Sequence, residues 1–474
     1  MNKFKTTKDL TSNKKEKIIR LPISKFIDSK FRDYAIYVLE ARGIPNFYDA
    51  LTPVQRFILK NSPTSFTKTL SVVGKVISDG YHHGDSSCTG AINKLARPFG
   101  NAMQVLEGDG FFGTEVSPSP AAARYTGIKL SSNANSILNK YNYLTTREPE
   151  GPYDPLWIDI PLGLVIPIVG IAVGYKTTIL PRKLQDIQAF LEGKRKNVKP
   201  YFKGFNGKIA KYKRLDKSWI LSSLITKEDN KIMIREIPPI LRYQSVLKKL
   251  DYLIRKYESK IRILNNSNIK VNIDIIYRGK DSNEFNDIFN FIEKTFSIIV
   301  NESLVFVKDG NVLTYDSVEQ YLEDYKWQVA RLNLKNTLYE RNKLNFDLEF
   351  NKAKELFIIF ILQKRRSVKE VDDWLKTYDK KIIIRLESMT SKKFTNDELT
   401  KTKAEIRRLS KELKDKEKKL KEVQKIFDNF EDPTITRGIS SKKNVINLFE
   451  TTDIEIIDDT VIWDGQDIYD ENEE

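Results

Sequence analysis

The chain has 474 residues, too many for one ordinary domain, and 40% of them are apolar, enough for sizeable cores. Its formal net charge is +16, yet residues 451–474 hold ten acidic residues and no Lys or Arg, so the preceding residues carry +26. A single cysteine, Cys88, excludes an internal disulfide framework and any multi-cysteine zinc site, and it fits an intracellular setting.

So basic a body points to a polyanion partner, bound through phosphate neutralisation and counterion release. The acidic end reads as a disordered strip that competes for the same surface. In chain order, residues 1–29 form a Lys-rich arm without the apolar stretch of a signal peptide. YAIYVLEA (34–41) has helical apolar spacing, and Gly43 and Pro45 stop it. Thr52 before Pro53 marks the next helix start, an N-cap followed by Pro at the first helical position. A further helix over 68–79 completes a helix-turn-helix unit. Residues 80–125 are rich in Gly, Ser and Pro and read as loop and turn, the kind of segment that often carries function. The only two histidines, His82 and His83, lie there in YHHGDS (81–86).

The uncharged run between Asp159 and Lys176 contains Pro161 and Pro167 and is shorter than the ~20 residues of a membrane span. It reads as buried strand and turn in a soluble protein. From about 150 to 325 the pattern mixes helices with β-like runs such as KIMIREI (231–237) and VNIDIIY (271–277). After 326 it is nearly all helical. Leu399, Ile406, Leu413, Leu420 and Phe427 recur every seven residues, and Leu409 and Val423 fall three after members of that set. This is a heptad seam, imperfect at Thr402 and Lys416, with residues 327–363 as the returning antiparallel partner.

Several familiar chemistries fail on inspection. GDGFFG (108–113) matches a dinucleotide fingerprint, but TEVSPSP follows it and its prolines argue against the required helix. Neither histidine precedes Arg, so the kinase catalytic motif is missing, and there is no phosphate-binding G-x-x-x-x-G-K-[ST]. No G-x-S-x-G elbow supports a serine hydrolase.

Three stretches taken together say more: ARGIPNFYDALTPVQRFIL (41–59), GYHHGDSS (80–87) and EGDGFFGTEVSPSPAAARYTGIKL (107–130). Their order, spacing and content resemble the breakage–reunion subunit of type IIA DNA topoisomerases. The compact Y-H-H-G form is closest in style to the medium subunit of the T-even-type bacteriophage branch. GIAVGYKTTILP (170–181), FKGFNGKI (202–209), IREIPP (234–239) and IIIRLESMTSKKFTNDEL (382–399) extend the resemblance over about residues 30–430.

The resemblance implies roles by position. Tyr125 matches the nucleophile, which attacks a backbone phosphorus to give a 5′-phosphotyrosyl link and a 3′-hydroxyl. A free phenol has a pKa of about 10, so something must favour the phenolate and the transition state. Arg124 and Arg42 match active-site arginines that hold the phosphate and stabilise developing charge. His83 matches the histidine before Gly-Asp and is expected to contact a phosphate oxygen or assist proton transfer. His82, Arg56 and Ser86 are expected at the DNA. Ile171 matches the isoleucine that wedges between base pairs and bends the duplex, although its apolar run alone would place it in a core.

Departures from the family pattern are specific. Thr52 stands at the family's lysine, Ala50 at its glycine, and paired arginines shrink to Arg56 and Phe57. The acidic residue four beyond the fluoroquinolone-contacting serine is Gly90, which implies a weak drug response. No magnesium cluster and no ATP-binding loop stand in the sequence. The resemblance places Mg²⁺ and ATP on a partner subunit, with two copies of this chain in a larger hetero-oligomer on double-stranded DNA, in the cytoplasm, of the host cell if phage-encoded, and with no membrane. It implies relaxation and decatenation without negative supercoiling, since the family's DNA-wrapping C-terminal domain is not in this sequence.

The expected fold is α+β and multidomain. After the arm come a winged-helix DNA-gate domain (30–150) and a mixed α/β tower (151–325). A long antiparallel coiled coil forming the exit gate (326–430) and an acidic tail (431–474) complete it. The alternative function is a non-catalytic DNA-bridging coiled-coil protein on a topoisomerase-derived scaffold.

Overall fold

A computed structural model describes residue 23 and residues 31–141, 155–363, 368–390 and 393–437. Apart from residue 23, the basic arm and the acidic stretch beyond Arg437 lie outside the described residues.

Helix α1 (Arg32–Val38) runs directly into a π-turn, Leu39–Gly43. Helix α2 (Pro53–Asn61) starts as the sequence predicts, with Pro53 at N1 and a reciprocal Thr52–Gln55 capping box. The short strand β1 (Thr67–Lys68) leads into α3 (Thr69–Ser78). Next comes α4 (Asp85–Ala96), inside the stretch expected to be loop. Its apolar residues Cys88, Ile92, Leu95 and Ala96 repeat at helical spacing and are buried, which outweighs the surrounding Gly and Ser. Strands β2 (Leu106–Asp109) and β3 (Gly127–Leu130) complete an antiparallel sheet in the order β1-β3-β2. No helix follows GDGFFG, as its prolines predict. Helix α5 (Ser132–Asn139) closes this part, capped by the Ser131 hydroxyl.

Strands β4 (Ile168–Ala172) and β5 (Tyr175–Ile179) form a hairpin, followed by α6 (Leu184–Leu191). Strands β6 (Lys208–Lys211), β7 (Ser218–Ser222), β8 (Leu224–Glu228) and β9 (Lys231–Glu236) precede α7 (Tyr243–Tyr257). Strands β10 (Ile261–Asn265) and β11 (Ile273–Tyr277) lead to α8 (Ser282–Thr295). Strands β12 (Ser297–Asn301), β13 (Leu304–Lys308) and β14 (Asn311–Tyr315) follow. The sheets are β10-β11-β9-β8, β12-β7-β6 and the hairpin β13-β14. Alternation in β9 and β11 puts Ile232, Ile234, Ile273 and Ile275 on one face, against Val246, Leu250, Leu253, Ile288 and Ile292 of α7 and α8.

Packing departs from chain order. Residues from the expected tower, 158–198 and 304–325, share one core with residues 47–137. The chain leaves that core after α6, builds the β6–β12 layer, and returns. Chain order and packing thus diverge here, because hydrophobic pattern reports burial but not which core receives it.

Helix α9 (Val318–Gln363) begins before the expected 326. Short helices α10 (Val368–Leu375) and α11 (Lys380–Glu387) lead to α12 (Asn396–Phe427), which runs antiparallel to α9. The pairs Lys354–Glu398, Glu340–Lys416 and Trp327–Phe427 fix that direction. The buried seam of α12 centres on Thr402 and Leu409, with Lys416 and Val423 half-buried in the same register. The positions that look imperfect are thus part of the contact. Thr402 returns its hydroxyl to the Glu398 carbonyl, and Lys416 ends on Glu340. Helix α13 (Pro433–Arg437) opens the stretch expected as a tail. It is strapped to the body by Lys308–Asp432 at 2.8 Å and Arg437–Asp324 at 2.5 Å. Among the described residues no helix is long and apolar enough to cross a membrane.

Candidate nucleic-acid cleavage site

Tyr125 sits in the turn before β3. Its main chain is fixed on both sides. Ala121 N–H donates to the Phe111 carbonyl at 2.9 Å, and Leu70 N–H to Ala123 at 3.2 Å. Thr69 N–H donates to the Thr126 carbonyl at 2.9 Å, and the two threonine hydroxyls, both fully buried, meet at 2.8 Å. The turn is therefore clamped between the GDGFFG loop and the first residues of α3. Gly113 has φ +85, and a Cβ there would come within 2.5 Å of the Pro118 carbonyl, so the tight return of this loop requires glycine. From this anchored turn the Tyr125 ring projects outward, 66% exposed. The Arg124 guanidinium lies 4.8 Å from its ring centroid. A phenol oxygen and a permanent cation are thus presented side by side on open surface, an arrangement suited to a phosphate on an extended polyanion.

A second cluster forms where the π-turn meets the loop between α3 and α4. His82 Nε2 lies 2.9 Å from the Tyr37 hydroxyl, and His82 Nδ1 lies 3.0 Å from the Gly80 carbonyl. The His83 ring packs 4.7 Å from His82 and edge-on to Tyr81 at 5.5 Å. Burial lowers the His83 pKa below its ordinary value, and His82 and Arg42 lower it further, against a hydrogen bond to the Ala41 backbone. His83 Nε2 is buried and has no hydrogen-bond partner among the described residues. Arg42 is exposed at the end of the π-turn. Arg42, His82 and His83 are therefore brought together.

Tyr125 and Arg124 are not part of that cluster within one chain. No hydrogen bond, ion pair or ring contact joins the two groups among the described residues. Helix α3 separates them, with Thr69 at the tyrosine turn and Ser78 leading to the histidine loop, a span of roughly 15 Å at 1.5 Å per residue.

Ile171 lies on the β4–β5 hairpin and is 51% exposed, on a strand whose Ile168 is in the core. The hairpin is braced against the π-turn. A Cβ on Gly43 would lie 2.3 Å from the Ile171 carbonyl, and one on Gly170 would lie 2.0 Å from the Gly43 carbonyl. Ser86 is exposed in the first turn of α4.

Arg56 is a correction. It was expected at DNA, yet it is 1% exposed and bonded to the fully buried Asp49, Nε to Oδ2 at 2.6 Å and Nη2 to Oδ1 at 3.0 Å. A guanidinium spent on a core carboxylate does not reach a surface phosphate. Phe57 beside it is buried against Tyr81, 5.7 Å between ring centroids. Ala50, at the family's glycine position, adopts a left-handed φ of 56°, the conformation that favours glycine there. Sequence reasoning missed Tyr37, one of 21 tyrosines with no motif around it. It also missed the Thr69–Thr126 clamp, for which Thr126 in A-A-A-R-Y-T was the only signal.

Together these elements make a mixed α+β architecture of helices and small antiparallel sheets, with the tyrosine–arginine turn on its surface. The structure superposes on the DNA-binding, cleavage and re-ligation domain of Plasmodium falciparum topoisomerase II with a TM-score of 0.67. That likeness covers 85% of this chain and 64% of the other, at 22% identity, and establishes the fold. The family of DNA gyrase and topoisomerase IV A subunits matches residues 42–432, and the chain belongs to that family. It is 32% identical over 206 residues to the DNA topoisomerase medium subunit of Enterobacteria phage T4, covering 40% of this chain and 46% of that one. It is 25% identical over 416 residues to the DNA gyrase A protein of Buchnera aphidicola, covering 77% of this chain and 48% of that one. The chain thus spans about half the length of these curated relatives.

Proposed function

We propose that this chain is the DNA-cleaving and rejoining subunit of an ATP-dependent type II DNA topoisomerase. It makes a transient double-strand break and a second duplex passes through, giving relaxation and decatenation in the cytoplasm. The single observation that carries the reading is the Tyr125–Arg124 pair, an exposed phenol with a guanidinium 4.8 Å from its ring, on a turn fixed by buried threonines.

In the proposed step the Tyr125 oxygen attacks a backbone phosphorus. The P–O3′ bond breaks as the P–Oη bond forms. The phenol loses its proton and the departing 3′-oxygen gains one, which leaves a 5′-phosphotyrosyl link and a 3′-hydroxyl. One phosphodiester replaces another, so reversal reseals the strand. Arg124 stabilises charge on the non-bridging oxygens, and Arg42 with His83 grips a phosphate. A double-strand break takes two tyrosines and so two copies of the chain.

The β1-β3-β2 sheet with α2, α3 and α4 is then a winged-helix DNA gate, residues around β6–β12 the tower, and the α9–α12 pair a coiled-coil exit gate. Ile171 serves as the wedge that unstacks a base step. Among the described residues no three His, Cys, Asp or Glu side chains converge on a point where a metal ion could sit. The Mg²⁺ and ATP of the reaction class are assigned to a partner protein, and no step above runs through them.

A covalent-trapping assay tests the reading. The chain, its ATPase partner, Mg²⁺ and labelled duplex are mixed and quenched with detergent. Label is expected on this polypeptide and not on Tyr125→Phe. An active partner with no label on either would leave the non-catalytic DNA-bridging protein as the better reading.

A further inference from the structure

Only two imidazoles exist in this chain, and they are held very differently. His82 Nδ1 lies 3.0 Å from the Gly80 carbonyl oxygen. A carbonyl only accepts, so Nδ1 carries the proton. Nε2 of the neutral ring is then a lone pair, and the Tyr37 hydroxyl, 2.9 Å away, donates to it. Both nitrogens of His82 are thereby engaged inside the protein. His83 packs against His82 and near Tyr37, with ring centroids 4.7 and 6.4 Å away, and its buried Nε2 has no partner among the described residues.

The backbone explains how one segment serves both rings. Residues 37 and 42 would point about 140° apart on a regular α-helix. The wider π-turn at Leu39–Gly43 intervenes, a feature that often marks functional sites. Tyr37 reaches His82, while Arg42 lies close enough for its charge to act on His83.

We propose that Tyr37 is a positioning residue: with the Gly80 carbonyl it brackets His82 in one orientation and one tautomer, and the bracketed ring holds His83 with Nε2 unpaired, beside Arg42, where that nitrogen takes up a proton from solvent as a phosphate binds and donates it to a phosphate oxygen. This rests on the topoisomerase reading above. It moves His82 from DNA contact to support of His83.

Labelling with [15N]histidine tests it directly, since the full chain yields signals from two imidazoles only. The free wild-type protein is expected to show one ring locked with Nδ1 protonated, assigned by His82→Gln. Tyr37→Phe, a conservative change at a residue 40% exposed, should release that lock into a tautomer mixture. In the holoenzyme the same variant should slow single-turnover cleavage about 2- to 10-fold, the range for one lost hydrogen bond, with duplex affinity unchanged. A wild-type His82 that already mixes tautomers, or a lock that survives Tyr37→Phe, overturns the proposal. So does unchanged cleavage in a variant whose lock is lost. The spectra are read without DNA or partner, so a wild-type enzyme that never forms covalent complex would refute the topoisomerase reading alone.

Discussion

Replacing Arg56 with Met separates two readings of that residue. Asp49 is fully buried and accepts from Arg56 Nε at 2.6 Å, Arg56 Nη2 at 3.0 Å, Leu51 N–H at 2.9 Å and Leu156 N–H at 3.0 Å. The same guanidinium donates to the Leu51 carbonyl at 3.1 Å. Arg56→Met keeps the volume but leaves the carboxylate with its backbone donors and no cation. Breaking a buried pair from one side costs about 3–5 kcal/mol, because the remaining charge is uncompensated. Urea unfolding followed by tryptophan fluorescence should show this, since Trp327 lies in the same core. The double change Asp49→Asn with Arg56→Met should recover only part of the loss, since Leu51 N–H donates to Oδ1 and Leu156 N–H to Oδ2 and an amide keeps one of those two acceptors. Duplex binding should keep its salt dependence, whereas a lost phosphate contact would flatten the log–log slope by about 0.9. A variant that loses less than about 1 kcal/mol and flattens that slope would return Arg56 to the DNA.

Ile171→Ala should leave stability within about 0.5 kcal/mol, as expected for an exposed side chain, and reduce DNA bending measured by fluorescence resonance energy transfer. Unchanged bending would make the residue ordinary surface. Gly170→Ala must move either the hairpin or the π-turn, because its Cβ would lie 2.0 Å from the Gly43 carbonyl. It should cost about 1–3 kcal/mol and lower cleavage more than binding. His83 has a folded pKa below its unfolded value near 6.5, so the unfolded state binds more protons in the window just below that value. Its contribution is therefore complete above about pH 6.5 and is lost as pH falls toward the depressed pKa. His83→Gln should remove that part of the slope, and parallel wild-type and variant urea midpoints from pH 7 to 5 would contradict it. Gly90 lies four residues after Ser86 on α4, and a Cβ there meets nothing within 4 Å. Gly90→Glu should therefore be tolerated and should increase fluoroquinolone trapping of cleaved DNA.

Legibility in the sequence followed how local each cause was. The α2 start was readable because Thr52, Pro53 and Gln55 act within one turn. Tyr125 stands out in the sequence only through its neighbours, and what fixes its turn is Thr69, a residue 56 positions earlier in the chain that meets Thr126 across a buried hydroxyl pair. Arg56 was misread because an arginine beside a helix start looks the same whether it faces water or Asp49. Residues 304–325 were assigned by chain order, whereas Phe306, Tyr321 and Tyr325 belong to the core built by Phe47. Tyr321 and Tyr325 donate to the backbone carbonyls of Phe47 and Tyr48 at 2.8 Å, long-range bonds that no periodicity encodes. Ile171 is the opposite case. Apolar pattern alone put it in a core, and only its register on the hairpin turns it outward.

The braces also decide which groups move together. Gly43 ties the Ile171 strand to the π-turn, and that turn carries Arg42 and faces the histidine loop. On the proposed reading, a duplex bent over Ile171 would pull on the same backbone that presents Arg42 and His83. Tyr125 hangs from the other end of α3, through β1, β3 and the threonine clamp. On the proposed roles, wedge and phosphate grip share one brace, while the nucleophile stands at the far end of a ten-residue helix, and all of them rest on the same core. A bend created by the wedge would then be felt at the grip directly and at the nucleophile through α3 and the shared core. Loss of the wedge should then weaken phosphate alignment before it alters the reactivity of the tyrosine.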